Sequence, residues 1–187
     1  MNLLVRQATA QDAEQIAPLI YEAIGDIAAR LTGEQEDKAI LEGLEELVRG
    51  ADSRHSHLYT YVACKEERIL GIIVLYDGKT GKDVDVLLME KLQEKHGASY
   101  RIDIEAHEDE YYIDTICVAP DARGLGIGTM LLRFAEEQAR RIGHTKLSLN
   151  VEVSKIKARR LYEREGFAFT ETWEIIGEPF NHLVKEL

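Results

Sequence analysis

The stretch ARGLGIGTMLL, residues 122 to 132, sets Gly124, Gly126 and Gly128 at alternate positions and runs straight into an amphipathic pattern. A glycine inside a helix costs about 1 kcal/mol relative to alanine, so three of them at a helix start mark a need for bare backbone. Three needs fit: a tight turn of unusual dihedrals, close approach of a neighbouring element, or a ligand lying on main-chain N–H groups at a helix N-terminus. Two phosphate-binding patterns are excluded. A dinucleotide fingerprint requires G-x-G-x-x-G, and the spacing here is G-x-G-x-G; a P-loop ends in G-K-[ST], and no lysine occurs between Asp121 and Arg141. What remains is strand, proline, arginine and alternating glycines opening a helix, which aims successive N–H donors and the positive end of the helix dipole at one point. A pyrophosphate fits that point, and the planar donor fork of Arg123 suits phosphate.

The elements that must hold this turn are legible as periodicities. LLVRQAT reads as a strand, and Thr9 followed by Asp12 has the pattern of a capped helix start. Ile16, Leu19, Ile20, Ala23, Ile24 and Ile27 then repeat at helical spacing, and Ile40, Leu41, Leu44, Leu47 and Val48 form a second stripe within residues 35–49. HLYTYVAC and ILGIIVLY, separated by KEER, read as an antiparallel hairpin. DGKTGKD breaks the pattern, DVLLMEKLQEKHG forms a short helix, and YRIDIEA resumes as a strand, so residues 77–99 are a helical insertion. YYIDTICV, ended by Pro120, is the strand before the glycines; Thr129 to Ile142 is the helix after them. TKLSLNVEV is a strand, Ser154 to Arg164 a helix, and FAFTETWEIIG and FNHLVKEL two final strands. The expectation is an α/β (α+β) layered fold around a mostly antiparallel sheet of about seven strands flanked by helices.

With 187 residues and 45% hydrophobic content, one domain spanning 1–187 is expected. No apolar run approaches the roughly 20 residues of a membrane span, and the N-terminus lacks signal-peptide features, so a soluble cytoplasmic protein with no membrane partner is expected. Cys64 and Cys117 each sit in a strand-like run and read as buried free thiols. His55 and His57 read as structural or solvent-facing, and no metal is expected. The net charge of -11 argues against a nucleic-acid partner. The charge is uneven: Pro120 to Glu165 holds 10 Lys or Arg against 6 Asp or Glu, a net of +4, which leaves -15 elsewhere. An anion suits the first region and a cation the remainder.

VAPDARGLGIGTMLL resembles the acetyl-CoA-binding signature of the GCN5-related N-acetyltransferase family, [QR]-x-x-G-x-[GA] after a strand closed by V-x-P, filled here by Arg123, Gly126 and Gly128. SKIKARRLYEREGF is similar to the second signature, N-x-x-A-x-x-L-Y-x-x-x-G-F, at Ala158, Leu161, Tyr162, Gly166 and Phe167. Lys155 stands where the family usually has asparagine, and a contact from its side chain to the nucleotide phosphates would replace the missing one. HLVKEL resembles the closing strand, so the similarity spans the chain apart from the insertion.

The resemblance implies that acetyl-CoA is bound by Arg123, Gly124, Leu125, Gly126, Ile127, Gly128 and Thr129 at the pyrophosphate, by the backbone of Ile116, Cys117 and Val118 along the pantetheine arm, and by Lys155, Ala158 and Tyr162. An N–H near Cys117 or Val118 would face the thioester oxygen, where fixed donors do the most for acyl transfer. Tyr162 would be the proton donor to the leaving sulfur. For the general base, Asp114 and Tyr112 alternate onto one strand face, and Glu110 or Glu105 reaches the same space; Asp114 is the first choice. The implied activity is acetyl transfer to a primary amine of a small molecule or peptide by direct attack on the thioester. The acidic remainder of the chain suggests a cationic acceptor, and the alternative is a non-catalytic acyl-CoA-binding sensor or partner domain.

Overall fold

The computed structural model describes residues 3–97 and 99–187. Seven strands form one sheet: β1 (Leu4–Gln7), β2 (Thr60–Lys65), β3 (Arg68–Asp77), β4 (Tyr111–Val118), β5 (Lys146–Glu152), β6 (Ala168–Ile175) and β7 (Glu178–Glu186). Their order is β1-β2-β3-β4-β5-β7-β6, and all neighbours are antiparallel except β4 and β5. The helices among the described residues are α1 (Ala13–Ile24), α2 (Ile27–Thr32), α3 (Asp37–Arg49), α4 (Gly78–His96), α5 (Ile127–Arg141) and α6 (Ile156–Arg164). The expected mostly antiparallel, seven-stranded sheet flanked by helices is what the chain forms.

β3 is buried from Ile69 to Tyr76 without alternation, as a strand covered on both faces must be. α1 and α5 supply that cover, setting Ile16, Ile20, Ile127 and Leu131 into the core. Each such side chain contributes roughly 1.5–3 kcal/mol by leaving water. The helical register read from Ile16 to Ile27 is two helices: the run breaks after Ile24 at Gly25, and Ile27 opens α2.

Two expectations about the insertion change. GKTGK is not a break but the first turn and a half of α4, capped by Asp77, whose side chain accepts from the Lys79 N–H at 2.8 Å. Its glycines answer close packing: a Cβ on Gly78 would lie 2.0 Å from the His107 carbonyl oxygen, and one on Gly81 2.7 Å from the Tyr76 ring. YRIDIEA is not a strand. It crosses the molecule as an irregular segment whose polar groups bind elsewhere: the Asp103 side chain accepts from the Ile176 N–H, and the Asp103 and Glu105 carbonyls accept from Arg54 and Asn150.

Candidate active site

β4 and β5 pair over only three residues, Tyr111–Ile113 against Leu147–Leu149. Beyond them the strands part, and a cleft of about 990 Å³ opens, walled by Asp114–Val118 on one side and Leu149–Glu152 on the other. β4 keeps its ladder to β3 out to Val118, so its edge toward β5 offers unpaired backbone groups from Asp114 onward. The ladder skips one residue: Thr115 faces Val74 and Ile113 faces Leu75, leaving Asp114 as a bulge.

At one end of the cleft lies the glycine turn. Gly124 and Gly126 have φ of +78° and +79°, and a Cβ on either would meet nothing within 4 Å. Left-handed backbone requires glycine there, and the space above it is open, as a cradle for a ligand must be. α5 follows at once, so the N–H groups of Ile127, Gly128 and Thr129 have no intrahelical acceptor. Gly124, Gly126, Ile127, Gly128 and Thr129 all line the cleft, whereas Leu125 is 55% exposed and does not. The Arg123 Nε donates to the Val118 carbonyl at 3.2 Å, and its guanidinium reaches Glu22 at 2.8 Å. Lys155, just before α6, donates to the Ala23 carbonyl at 3.2 Å and pairs with Glu152 at 2.7 Å. Both cations line the cleft, each paired with a carboxylate. This donor set suits a pyrophosphate ester, and the parted strand edge suits an extended amide chain.

Midway, Ile116, Cys117 and Val118 face Ala158 and Tyr162 of α6 across the cleft. Tyr162 packs edge-on against Phe167, and its hydroxyl has no protein hydrogen-bond partner among the described residues. Burial, with the Cys117 thiol nearby, pushes its pKa up to about 12, so the phenol keeps its proton. Burial likewise raises the Cys117 thiol, which therefore stays protonated.

The far end is a buried charged cluster. Arg54, 2% exposed, lies between α3 and β2 and donates through one terminal nitrogen to Glu105 at 2.9 Å, Asp114 at 3.1 Å and Tyr76 at 3.1 Å. Its other terminal nitrogen reaches the Asp103 carbonyl, and its Nε lies 3.1 Å from Asp85 of α4. Asp114 also accepts from the Tyr76 hydroxyl at 2.8 Å and the Thr115 hydroxyl at 2.8 Å, and lies 2.9 Å from the His55 ring. Burial opposes its charge, but the His55 ring, the Arg54 guanidinium and these hydrogen bonds outweigh that and hold its carboxyl far below the usual range. Glu105 behaves oppositely. Burial raises its pKa, Arg54 pulls it back, and Asp114 and Asp85 add to the rise, leaving it above the ordinary value. The Tyr112 hydroxyl donates to Glu105 at 3.0 Å, and Asn150 of β5 bridges the Glu105 carbonyl and the Tyr112 oxygen.

Tyr112, Asp114 and Glu105 thus converge as the sequence suggests, and all three line the cleft. Glu110 does not: its carboxylate accepts from Ser148 at 2.8 Å, meets the His182 ring at 3.1 Å and stands outside the wall. Arg54, Asp85 and Asn150 carry the cluster and were not singled out by sequence. Among the described residues, His107, Glu171 and His182 bring three ligand-type atoms within 4.8 Å of one another. Protein partners already engage them, since His107 meets Glu171 and both ring nitrogens of His182 face Asn150 and Glu110.

Comparison with known proteins agrees with this geometry. The profile of the acetyltransferase (GNAT) family matches residues 21–167. An N-acetyltransferase from Staphylococcus aureus Mu50 superposes with a TM-score of 0.80 at 25% identity, over 97% of this chain and 99% of that one. A crystal structure described as an acetyltransferase gives 0.79 at 32% identity, over 98% of each chain. The chloroplastic GCN5-related N-acetyltransferase 6 of Arabidopsis thaliana is 41% identical over 61 residues, which are 33% of this chain and 21% of that protein, so the matched segment spans about a fifth of that relative. Among the described residues, no helix is long and apolar enough to cross a membrane. With a family match over most of its length, a parted β4–β5 pair and a glycine turn opening α5, the chain belongs to the acetyltransferase (GNAT) family.

Proposed function

We propose that this protein transfers an acetyl group from acetyl-CoA to a primary amine that carries further positive charge. The observation that carries the reading is one cleft lined both by the open glycine turn with Arg123 and Lys155 and by Glu105 and Asp114 around Arg54, with Asp85 behind them. The amides of Ile127–Thr129 and the side chains of Arg123 and Lys155 would hold the pyrophosphate and nucleotide phosphates, and the edge from Ile116 to Val118 the pantetheine. Acetyl-CoA supplies the activated acyl carbon. In the net reaction a C–N bond forms, the C–S bond breaks, the amine loses a proton and the sulfur gains one.

An amine in the cleft is a nucleophile only once its ammonium proton has gone. Of the two carboxylates lining the acceptor end, Asp114 is committed to four donors and resists protonation. Glu105, with its raised pKa, is the better proton acceptor near neutral pH. The function we assign to Asp114 is therefore to orient Arg54, His55 and Tyr76 and to add negative charge, while Glu105 takes the proton directly or through a water. Tyr162, in the cleft wall, holds its proton and would supply it to the departing sulfur. Cations are favoured because Arg54 balances only one of the charges of Asp85, Glu105 and Asp114.

Thiol release from acetyl-CoA, followed across a panel of amines, tests the reading. Diamines and other cationic amines are expected to be turned over. Donor binding without turnover of any amine would instead indicate an acyl-CoA-binding module.

A further inference from the structure

The inserted helix α4 meets the Arg54 cluster, behind the cleft wall, through Asp85. Asp85 is 7% exposed and faces the Arg54 Nε at 3.1 Å, with the N–H not aligned for a hydrogen bond. Arg54 shares this cluster with the His55 ring, which lies 2.9 Å from Asp114, and faces carboxylates on three elements: Asp85 on α4, Glu105 on the segment before β4, and Asp114 on β4. The remaining ionisable groups against Glu105 or its partners are Tyr112 on β4, Tyr76 on β3 and His55 beside Arg54. Without Asp85, the guanidinium charge would be divided between Glu105 and Asp114 alone.

We propose that Asp85 is a positioning residue for proton transfer: by engaging the Nε side of Arg54, it draws part of the guanidinium charge away from Glu105 and leaves that carboxylate free to accept the amine proton. The insertion is on this view part of the acetyl-transfer machinery, contributing one charge rather than a wall. The inference rests on the reading of Glu105 as the base. Electrostatics gives the direction. An ionised Asp85 repels a charge on Glu105, so its presence raises the proton affinity of Glu105 and its removal lowers it. Burial pushes Asp85 itself up to about 6, which places its own titration where it can be observed.

The test needs no acceptor. The side-chain carboxyl carbon of Glu105, in protein labelled with carbon-13 glutamate and assigned with Glu105→Gln, is titrated by NMR in the full chain. In Asp85→Asn its midpoint is expected to fall by about one pH unit, the scale on which a single neighbouring charge acts. Asp85→Glu, which keeps the charge, should return the midpoint toward the wild-type value. Removal of an exposed carboxylate in Asp109→Asn should leave it in place. An unmoved midpoint in Asp85→Asn overturns the proposal.

Removing one member of a buried ion cluster can unfold a chain, so wild-type protein carries a second measurement. The Glu105 signal should show an additional inflection where Asp85 titrates, because the two groups are coupled. A single inflection, independent of Asp85, overturns the proposal as surely. Once an amine is found, the acid limb of kcat/KM should move down with the Glu105 midpoint while the KM for acetyl-CoA stays unchanged. Failure of the acetyl-transfer reading would appear as absent thiol release, a separate measurement from the titration.

Discussion

Tyr162 and Glu105 show how far residue chemistry follows from burial. Both sit in the cleft wall, but burial keeps a proton on the phenol across the working range, whereas in the carboxyl it raises the affinity for a proton above the ordinary value. One is suited to give a proton and the other to take one. Tyr162→Phe keeps the ring against Phe167 and removes only the hydroxyl, so the fold should persist. Turnover is expected to fall by about a hundredfold to ten-thousandfold where chemistry limits the rate. Affinity for acetyl-CoA should change by less than about threefold, since a hydrogen bond made in the transition state adds little to ground-state binding. Single-turnover kinetics beside calorimetric titration separates the two effects, and full activity in the variant would return Tyr162 to a packing role.

At the scale of elements, the turn into α5 and the turn into α1 are each specified by few residues. Gly126→Val would place a branched side chain at a φ of +79°, costing roughly 1–2 kcal/mol in backbone strain, and would also fill the open cradle. The variant should remain folded, with a lowered melting temperature, and bind coenzyme A at least tenfold more weakly, about 1.4 kcal/mol. Unchanged affinity by calorimetry would remove the pyrophosphate from this turn. Ahead of α1, Asp12 accepts both Arg6 terminal nitrogens at 2.8 Å and the Thr9 N–H at 2.8 Å. The Arg6 hydrogen bonds, against some burial, hold its pKa at about 2. A depressed carboxyl stabilises the fold above its unfolded pKa of about 4, and that contribution is lost as pH falls through 4 toward 2. Arg6 is one-third exposed, so solvent screening reduces the contribution to about 1 kcal/mol. In urea unfolding, the stability gap between wild type and Asp12→Asn should be of that size near neutrality and close below about pH 2; a gap constant with pH would mean that the ion pair is not its source.

The difference between what was readable and what was not follows the same division. The glycine turn and the Thr9–Asp12 cap were legible because each acts within one or two turns of chain, where spacing encodes geometry, whereas Tyr162 was singled out only through the resemblance of its segment to a family signature. Arg54 was not, because a lone arginine in SRHS reads as a solvated turn until α3, α4, β3, β4 and the 99–110 segment close around it. GKTGK misled for a related reason: its glycines serve contacts with His107 and Tyr76, which are distant partners, rather than local dihedrals. The bulge at Asp114 also depends on the neighbouring strand and leaves no mark in a pattern of alternation.

For the molecule as a whole, net charge and local charge oppose each other. The chain carries -11, but residues 120–165, which supply the glycine turn, Lys155 and α6, carry +4. On the proposed function, an anionic donor would be received by the positive part of a negative molecule, and a cationic acceptor would be favoured both by the overall field and by the carboxylates around Arg54. The field makes a prediction that the pocket contacts alone do not. With acetyl-CoA saturating, a diamine should show a higher kcat/KM than a monoamine of equal length at low ionic strength, because its second charge is drawn by the same field. Raising ionic strength from about 0.01 M to about 0.15 M shortens the Debye length from about 30 Å to about 8 Å, so the long-range part of that preference should shrink. The part due to Asp85, Glu105 and Asp114 should persist, since buried charges are screened little. A diamine-to-monoamine ratio that narrows with salt yet stays above one is expected from initial rates at fixed pH. A ratio at or below one at every salt concentration would show that charge does not select the acceptor.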